Sequence, residues 1–306
     1  MTRGGTCAPV WCVAASAGSA KTTSCPMAGS RQQAWSEPDP GSTSIASPQP
    51  ASRGLFRERT MEQSTLQAIQ AHAAAEYPRE CCGLIVAGSD GEVYVSCTNT
   101  AAKPSDQFRM PAEDYAAAED RGAVLAVVHS HPNASAAASD ADRVMCEASG
   151  LPWHIVSVGQ VVGEDPACHD IQTIEPCGYL APLEGRHFAH GILDCYSLVR
   201  DFYARELGIT LSQYERDDNW WDNGQDLYSL DRLRAEGFEL IDGDPQRGDM
   251  ILMQVRSPVP NHAGVYLGDD LMLHHLYGRL SEKAVYGGMW AERTRYIVRH
   301  REARRE

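Results

Sequence analysis

The chain has 306 residues, of which 43% are apolar, and this is enough for two domains that each bury a core. The formal net charge of -14 argues against nucleic acid as the main partner, and no apolar run approaches the roughly eighteen residues of a membrane span. The ten cysteines include no CxxC pair, which predicts reduced, buried thiols made in a cytoplasm rather than a disulfide framework.

Residues 1–60 differ in composition from the rest of the chain. Ser, Gly, Pro, Ala and Thr dominate, and neither a helical nor an alternating period is present. A weakly apolar run follows Arg3, but it lacks the leucine-rich centre of a signal peptide. We therefore expect either a disordered extension or a start codon upstream of the one used, with Met61 as the natural beginning.

From Met61 the pattern predicts helices packed on a mixed sheet, which is an α+β layered domain. Leu66, Ile69 and Ala73 recur at helical spacing, and this helix should end before Pro78. The elements predicted next are a hairpin of strands at 82–87 and 93–97, a helix at 111–120, a strand at 123–128, a helix at 139–149 and a strand at 153–158.

A candidate metal site follows the strand at 123–128. His129 and His131 are two residues apart, so in extended backbone both imidazoles point to the same side. Ser139 and Asp142 share a face of the next helix. Two histidines and one carboxylate form a three-ligand set for zinc, with the fourth position open to water as in catalytic sites. A His-x-His pair alone would more simply be two ordinary loop histidines.

Such a site also needs a base, and Glu80 at the start of a strand is the candidate. Ser139 would either hydrogen-bond a developing oxyanion or steady a ligand. The neighbouring Cys81 and Cys82 could be soft metal ligands, but we favour small strand residues. We expect the Ser139 helix to be capped by Ser139 or by Ser135.

Glu80, the sequence HSHP at 129–132, Ser139 and Asp142 together resemble the signature of the JAMM (JAB/MPN) metallopeptidases, which cleave amide and isopeptide bonds. The resemblance covers roughly residues 61–175. It implies that His129, His131 and Asp142 bind Zn²⁺ and that Glu80 is the catalytic base.

Residues 163–186 are rich in Pro and Gly and lack periodicity, so we place the domain boundary there. The predicted domains are 61–178 and 183–306.

Asp194 and Cys195 begin a helix that ends at Gly208, and a thiol at a helix start should lose its proton more easily. Cys195 also shares a helical face with apolar residues, so it could be an ordinary core residue.

Two later strands favour a catalytic thiol. His262 lies in the strand NHAGVYLG, and after a turn at Asp269 and Asp270 the strand LMLH carries His274. A cysteine at a helix start, facing a histidine that a second polar group orients, is the arrangement of thiol peptidases.

The segments DCYSLV, GDMILM, NHAGVYLG and LMLHH are similar to those of NlpC-type cell-wall peptidases, which are papain-like enzymes that cut peptidoglycan stem peptides. The match spans roughly residues 183–280. It implies Cys195 as the nucleophile, His262 as the base and His274 as the orienting residue. His275 is the alternative third member, and strand alternation allows only one of the two to serve. Tyr196 and Ser197 stand where the family commonly has Ser-Gly.

Two smaller features have open interpretations. Trp220, Trp221 and Tyr214 either line a substrate groove or form a loop packed on the core. The basic segment from Arg293 onward is expected to be a solvated end, with a docking strip as the alternative.

The order of the two domains resembles the tail tip assembly proteins of lambda-like phages, over about residues 61–306. This resemblance implies a protein that helps build the tail tip in the host cytoplasm, with other tail tip proteins as partners and the cell wall as a target. The expected function is zinc-dependent amide hydrolysis together with Cys-His-His hydrolysis of stem peptides. The alternative is an assembly scaffold in which one or both sites are idle.

Overall fold

The computed structural model of the protein describes residues 11–14 and 61–303. The interpretation of residues 1–60 as a disordered extension or an unused start therefore lies outside the described residues, apart from strand β1 (Trp11–Ala14). No element is predicted there from the sequence. The backbone of β1 pairs antiparallel with a strand of the first domain at 107–110.

The first domain contains a five-stranded mixed sheet with helices on both faces. Its elements are α1 (Gln63–Glu76), β2 (Cys82–Gly88), β3 (Gly91–Cys97), β4 (Gln107–Met110), α2 (Ala112–Glu119), β5 (Val124–Pro132), α3 (Asp140–Ser149), β6 (Trp153–Gly159) and β7 (Ala167–Ile174). The sheet order is β3-β2-β5-β6-β7, and only the β5–β6 pair in this sheet is parallel.

Alternation along the strands builds a core on each face of this sheet. One face buries Val127 and Trp153 against α2 and α3. The other face buries Val128 and Val156 against Ile69 of α1. Because β5 is covered on both faces, it is the continuous apolar run that the sequence shows.

Strand β7 lies in the segment where the sequence predicts no element. It pairs antiparallel with β6 at the edge of the sheet, and most of its side chains are exposed or only half-buried. An edge strand with so little burial has no apolar alternation for a pattern search to detect. The domain limits 61–178 and 183–306 stay predictions.

The second domain packs one long helix against an antiparallel sheet. Its elements are α4 (Cys195–Phe202), which continues as a π-helical turn (Tyr203–Leu207), a 3₁₀ turn (Trp220–Asn223), α5 (Leu230–Ala235), β8 (Phe238–Leu240), β9 (Met250–Met253), β10 (His262–Gly268), β11 (Leu271–His274), β12 (Glu282–Val285), α6 (Met289–Arg293) and β13 (Thr294–His300). The sheet order is β12-β11-β10-β9-β13-β8.

Helix α4 lies on this sheet through its apolar stripe. Leu198, Val199 and Phe202 are buried in one cluster with Val265 of β10 and Leu273 of β11. The helix ends at Gly208, whose φ of 70° lets the chain leave in the left-handed conformation. The predicted α+β class, with a JAMM-like sheet and then a papain-like helix and sheet, is confirmed.

The expectation of a solvated end from Arg293 onward is wrong. Strand β13 pairs with both β9 and β8 inside the sheet, and Val298 is buried. In this strand the arginines stand at positions that are not buried, next to buried Val298 and His300. The many basic residues therefore obscure the alternation that would indicate a strand. Arg299 is one of them, and it forms an ion pair with the buried Asp249.

The segment that joins the domains is packed rather than loose. Ala181, Ala189 and Leu193 belong to the same buried cluster as Trp153 of the first domain. Among the described residues, no helix is long and apolar enough to cross a membrane.

Replacing Trp153 with alanine tests the importance of the first core. Trp153 is fully buried, so we expect Trp153→Ala to lower the free energy of unfolding of the first domain by about 3–5 kcal/mol. The fully exposed Val162 is the control, and Val162→Ala should change that free energy by less than about 0.5 kcal/mol. Urea titrations followed by circular dichroism measure both, and equal midpoints for the two variants would contradict the assignment.

Two candidate catalytic sites

The end of β5 and the first turn of α3 bring His129, His131 and Asp142 together. Nε2 of His129 lies 3.0 Å from Nε2 of His131 and 3.2 Å from Oδ1 of Asp142. Nε2 of His131 lies 3.5 Å from Oδ2 of Asp142. All three side chains are buried. They form the one candidate metal-ligating group in the described part of the chain.

These distances fit a divalent zinc ion. In a tetrahedral site with bonds of about 2.0–2.1 Å, two ligand atoms lie about 3.3 Å apart, and the observed separations fall on both sides of that value. Oδ1 of Asp142 is buried and has no hydrogen-bond partner among the described residues. A buried carboxylate oxygen without a donor is costly, and a cation among the three side chains would compensate it.

The cap of α3 holds Asp142 in place. Ser139 Oγ accepts a hydrogen bond from the backbone N–H of Asp142 at 3.1 Å, and the N–H of Ser139 donates to Oδ2 of Asp142 at 2.7 Å. This reciprocal capping box fixes the carboxylate, and it leaves Oδ1 available to a cation. Of the two expectations for Ser139, the geometry therefore favours steadying a ligand, and Ser139 rather than Ser135 is the cap.

Neighbouring groups orient both imidazoles. Nδ1 of His131 lies 2.9 Å from the carbonyl oxygen of Ser135, so a proton on Nδ1 leaves the Nε2 lone pair for a metal. The ring of His129 packs against both Phe108 and Trp153, with centroid distances of 5.0 Å and 5.5 Å. The core of the domain thus determines where the first candidate ligand lies.

The antiparallel register of β2 and β5 places Glu80 opposite His131. Cys82 pairs with His129, and Cys81 and Ser130 exchange hydrogen bonds one step further along. Both carboxylate oxygens of Glu80 are buried without a hydrogen-bond partner among the described residues. A buried carboxyl group without a hydrogen-bond partner is rare in proteins, and a catalytic role is one explanation for it.

The two carboxyl groups of this site ionise differently. Burial raises the pKa of Glu80 well above its usual range, and the charges of Asp142 and Asp106 raise it further. Burial also opposes ionisation of Asp142, but His129 and His131 outweigh it and hold the pKa of Asp142 well below its usual range. The pKa values of the two carboxyl groups are therefore shifted in opposite directions, and the imidazoles stabilise the anionic form of Asp142.

Cys81 and Cys82 are core residues rather than ligands in the described structure. Burial raises the pKa of Cys81 to about 12. Cys82 directs its Sγ at the carbonyl oxygens of Cys97 and Thr98, at 3.7 Å and 3.5 Å. This agrees with the preferred interpretation of small strand residues.

The second site begins at the N-terminus of α4. Asp194 caps this helix, since its side chain accepts hydrogen bonds from the N–H groups of Ser197 and Gly191, each at 2.9 Å. Cys195 is the next residue, and its sulfur lies 3.8 Å from the hydroxyl of Tyr228. A backbone hydrogen bond from Ala263, the residue after His262, also reaches the thiol.

His262 and His274 contact each other across β10 and β11. Nε2 of His262 lies 3.0 Å from Nδ1 of His274. If Nε2 of His262 carries the proton, its Nδ1 keeps the lone pair. Nε2 of His275 instead lies 3.1 Å from the carbonyl oxygen of Arg279, and the His275 ring packs against Phe188. The structure thus places His274, and not His275, against His262.

A cavity of ≈ 400 Å³ contains the thiol site. Its lining includes Cys195, His262 and Tyr228, and both Trp220 and Trp221 contribute to the wall. Tyr214 lies apart from it, where its hydroxyl bonds Glu236 at 2.5 Å and its ring packs near Tyr196. Both tryptophans also pack in the core of the domain, as Tyr214 does, so the interpretation of a loop packed on the core holds for all three. That the two tryptophans line a substrate groove stays a prediction.

Burial determines the charge state of the thiol site. It raises the pKa of Cys195 to about 11, with a further contribution from the negative charge of Asp194. The expectation of a more acidic thiol at a helix start is thus reversed. Burial and the neighbouring His274 and His275 lower the pKa of His262 to about 3. At neutral pH the site holds a thiol and a neutral imidazole.

Two residues of this site were missed from the sequence. Tyr228 lies in a loop before α5, where no motif or period marks it. Arg216 lies in another loop and forms an ion pair with Asp194, at 2.7 Å from Nε to Oδ2. The one signal in the sequence is Asp194 itself. A buried aspartate that caps a helix needs a positively charged partner, so its position next to Cys195 could have indicated one.

Comparisons with known proteins agree with this architecture. Residues 62–170 match the family described as prokaryotic homologs of the JAB domain, and residues 185–299 match the NlpC/P60 family. Tail tip assembly protein K of Escherichia phage N15 is 46% identical over 245 residues, which span 80% of this chain and 97% of that protein. Tail tip assembly protein K of Escherichia phage lambda is 40% identical over 193 residues, which span 63% of this chain and 89% of that protein. The chain therefore belongs to the tail tip assembly protein K family, and it carries a JAB-like domain followed by an NlpC/P60 domain.

Proposed function

We propose that this tail assembly protein is a peptidase with two sites. The first domain hydrolyses amide or isopeptide bonds with Zn²⁺ held by His129, His131 and Asp142. The second domain is a thiol endopeptidase that cuts peptidoglycan stem peptides. Its other partners are tail tip proteins, and it acts during assembly in the host cytoplasm and, carried in the tail, on the cell wall.

The observation that carries the proposal is that Cys195 and His262 line one cavity, while Nε2 of His262 lies 3.0 Å from Nδ1 of the buried His274. A cysteine, a histidine base and a second polar group that orients this base are the set of residues that a thiol peptidase needs. An ordinary core cysteine would have no reason to lie beside a buried pair of histidines.

In the first site, each residue would have a distinct task. Two neutral imidazoles and the anionic Asp142 supply a donor set with one open position, and bound zinc would polarise a carbonyl and acidify water there. Glu80 would accept a proton and return it to the leaving amine. The cation would favour the charged form of Glu80, against the effect of burial.

In the second site, the proton would move as the sulfur attacks. Because the resting thiol is protonated and His262 is neutral, Nδ1 of His262 would take the proton of Cys195 in the same step. His274 would hold the ring of His262 in the productive orientation and accept its Nε2 proton as a hydrogen bond. The proton taken from Cys195 would then pass from Nδ1 of His262 to the leaving amine, and water would hydrolyse the thioester that joins the acyl group to Cys195.

Tyr228 would assist this attack. Burial raises the pKa of Tyr228 well above its usual range, so the hydroxyl keeps its proton and remains a donor near the sulfur. Together with the N-terminus of α4, it supplies hydrogen-bond donors where negative charge develops on the substrate oxygen.

The scaffold alternative has one observation in its favour. The raised pKa of Cys195 and the lowered pKa of His262 disfavour the thiolate-imidazolium pair of a highly reactive site. A chain that only organises other tail proteins could tolerate such a resting state. The two functions can be distinguished by whether substitutions at the two sites reduce the formation of infectious tails.

Zinc binding tests the first site. We expect the purified chain to hold one zinc ion and His131→Ala to lose more than about 100-fold in affinity, because a direct ligand is removed. His154→Ala is the matched control, since His154 lies on the adjacent strand and bonds Thr173 at 2.8 Å. Elemental analysis after equilibrium dialysis measures both. Equal zinc content in the two variants would refute the site.

Digestion of purified sacculi tests the second site. Cys195→Ala should reduce release of stem-peptide fragments more than about 1,000-fold, because the nucleophile is lost, while zinc content stays unchanged. His131→Ala should retain this activity, and Cys168→Ala serves as the control for removal of a cysteine far from the cavity. Mass spectrometry of the digests identifies the bond cut. Full cleavage by Cys195→Ala would exclude the thiol mechanism.

Complementation separates the peptidase from the scaffold. The variant to use is Cys195→Ala combined with His131→Ala, after circular dichroism has shown that both domains are folded. If the peptidase function is required, this variant should give infectious-particle yields at least about 100-fold below those of the Cys168→Ala control. Normal yields would assign the assembly role to the surface instead.

A further inference from the structure

Arg216 is buried against the cap of the helix that carries the thiol. Its Nε donates to Oδ2 of Asp194 and its Nη2 donates to Oδ1, both at 2.7 Å. Nη2 also donates to Oγ of Ser197 at 2.8 Å, and Nη1 donates to the carbonyl oxygen of Tyr214. Arg216 and Asp194 are 4% and 3% exposed, so water cannot replace these bonds.

Asp194 thus connects three parts of the chain. Its Oδ1 binds the N–H of Ser197 inside α4, its Oδ2 binds the N–H of Gly191, and both oxygens bind Arg216. Cys195 follows Asp194 directly, so a shift of this carboxylate would move the sulfur. A planar guanidinium can bond both oxygens at once, and no other side-chain type offers this geometry.

We propose that Arg216 is a positioning residue of the thiol site, which fixes Asp194 and thereby places the sulfur of Cys195 and balances the negative charge beside it. The inference rests on the proposed role of Cys195 as nucleophile. The effect of Arg216 on the thiol can be tested independently of peptidase activity, because the reactivity of Cys195 can be measured without any peptide substrate.

The charges around Cys195 indicate that Arg216 also affects the ionisation of the thiol. Besides Asp194, Cys195 and Arg216, the titratable groups that line the cavity are His190, Tyr196, Tyr228, Arg256, His262, His275 and Tyr277. Asp194 raises the pKa of Cys195, and Arg216 lowers it. Removing Arg216 alone would leave a buried carboxylate next to the thiol without its counter-ion. The thiolate would then form only at still higher pH.

The test is the pH profile of Cys195 alkylation by iodoacetamide in the full chain, followed peptide by peptide with mass spectrometry. Arg216→Met should alkylate at pH 8 at least tenfold more slowly than the wild type, with its profile shifted to higher pH. Asp194→Asn combined with Arg216→Met removes both charges while asparagine still caps α4, so it should alkylate at least threefold faster than Arg216→Met. It should remain slower than the wild type, because the two bonds that fix residue 194 are absent.

The chain supplies a matched control in Arg299. It binds the buried Asp249 through the same two-bond geometry, with Nε to Oδ1 at 2.7 Å and Nη2 to Oδ2 at 2.6 Å. It lies in the same domain but not in the cavity. Arg299→Met should therefore lower stability while the alkylation profile of Cys195 stays within twofold of the wild type.

The outcomes are decisive in either direction. A shifted profile for Arg216→Met, partly recovered by the double variant and absent from Arg299→Met, supports the proposal. A wild-type profile for a folded Arg216→Met, or an equal shift for Arg299→Met, overturns it.

If circular dichroism shows that Arg216→Met does not fold, Arg216→Lys replaces it, because lysine keeps the charge but cannot bond both oxygens. That variant should alkylate at least threefold more slowly, and a rate equal to that of the wild type overturns the proposal. If the alkylation shift appears but wild-type chain releases no stem peptides, the positioning role stands and the proposed peptidase function fails.

Discussion

Both candidate sites depend on a helix N-terminus that is capped by side chains and pressed against the end of a strand. The cap satisfies backbone N–H groups that would otherwise be unpaired, and it is worth about 0.5–2 kcal/mol in each helix. In α3 the capping box includes Asp142, which is also a candidate metal ligand. In α4 the cap is Asp194, next to the candidate nucleophile. In each case the hydrogen bonds that begin the helix also set the position of a reactive atom.

Burial opposes ionisation in both sites, but the charge states that result are different. In the first, the fully buried Asp142 is an anion because two imidazoles lie beside it, and this makes the site attractive to a cation. In the second, the same desolvation keeps the thiol and His262 neutral. The first site therefore carries charge in its resting state, and the second would create charge only when a substrate arrives. This difference follows from which partners each buried group has.

The sequence was sufficient for those features that follow a local period or a fixed spacing. The helix at α1, the hairpin of β2 and β3, and the strand that carries His129 are all predicted, because alternating or helical burial is visible in the residues themselves. Strand β7 was missed because an exposed edge has no apolar period, and β13 because arginines alternate with its buried residues. Tyr228 and Arg216 could not be found, since they reach the site from loops and only the fold brings them to Cys195.

The segment between β3 and β4 connects the two sites physically. Asn99 donates to the carbonyl oxygen of Glu80 at 2.9 Å, and the N–H of Glu80 donates to the carbonyl oxygen of Pro104 at 2.6 Å. In the same segment, Nζ of Lys103 lies 2.5 Å from the hydroxyl of Tyr277, which lines the thiol cavity. The backbone that places the candidate base of one domain is therefore bonded to the rim of the other site. This hydrogen bond lies at the surface, and it links the loop that holds the backbone of Glu80 to the rim of the thiol cavity.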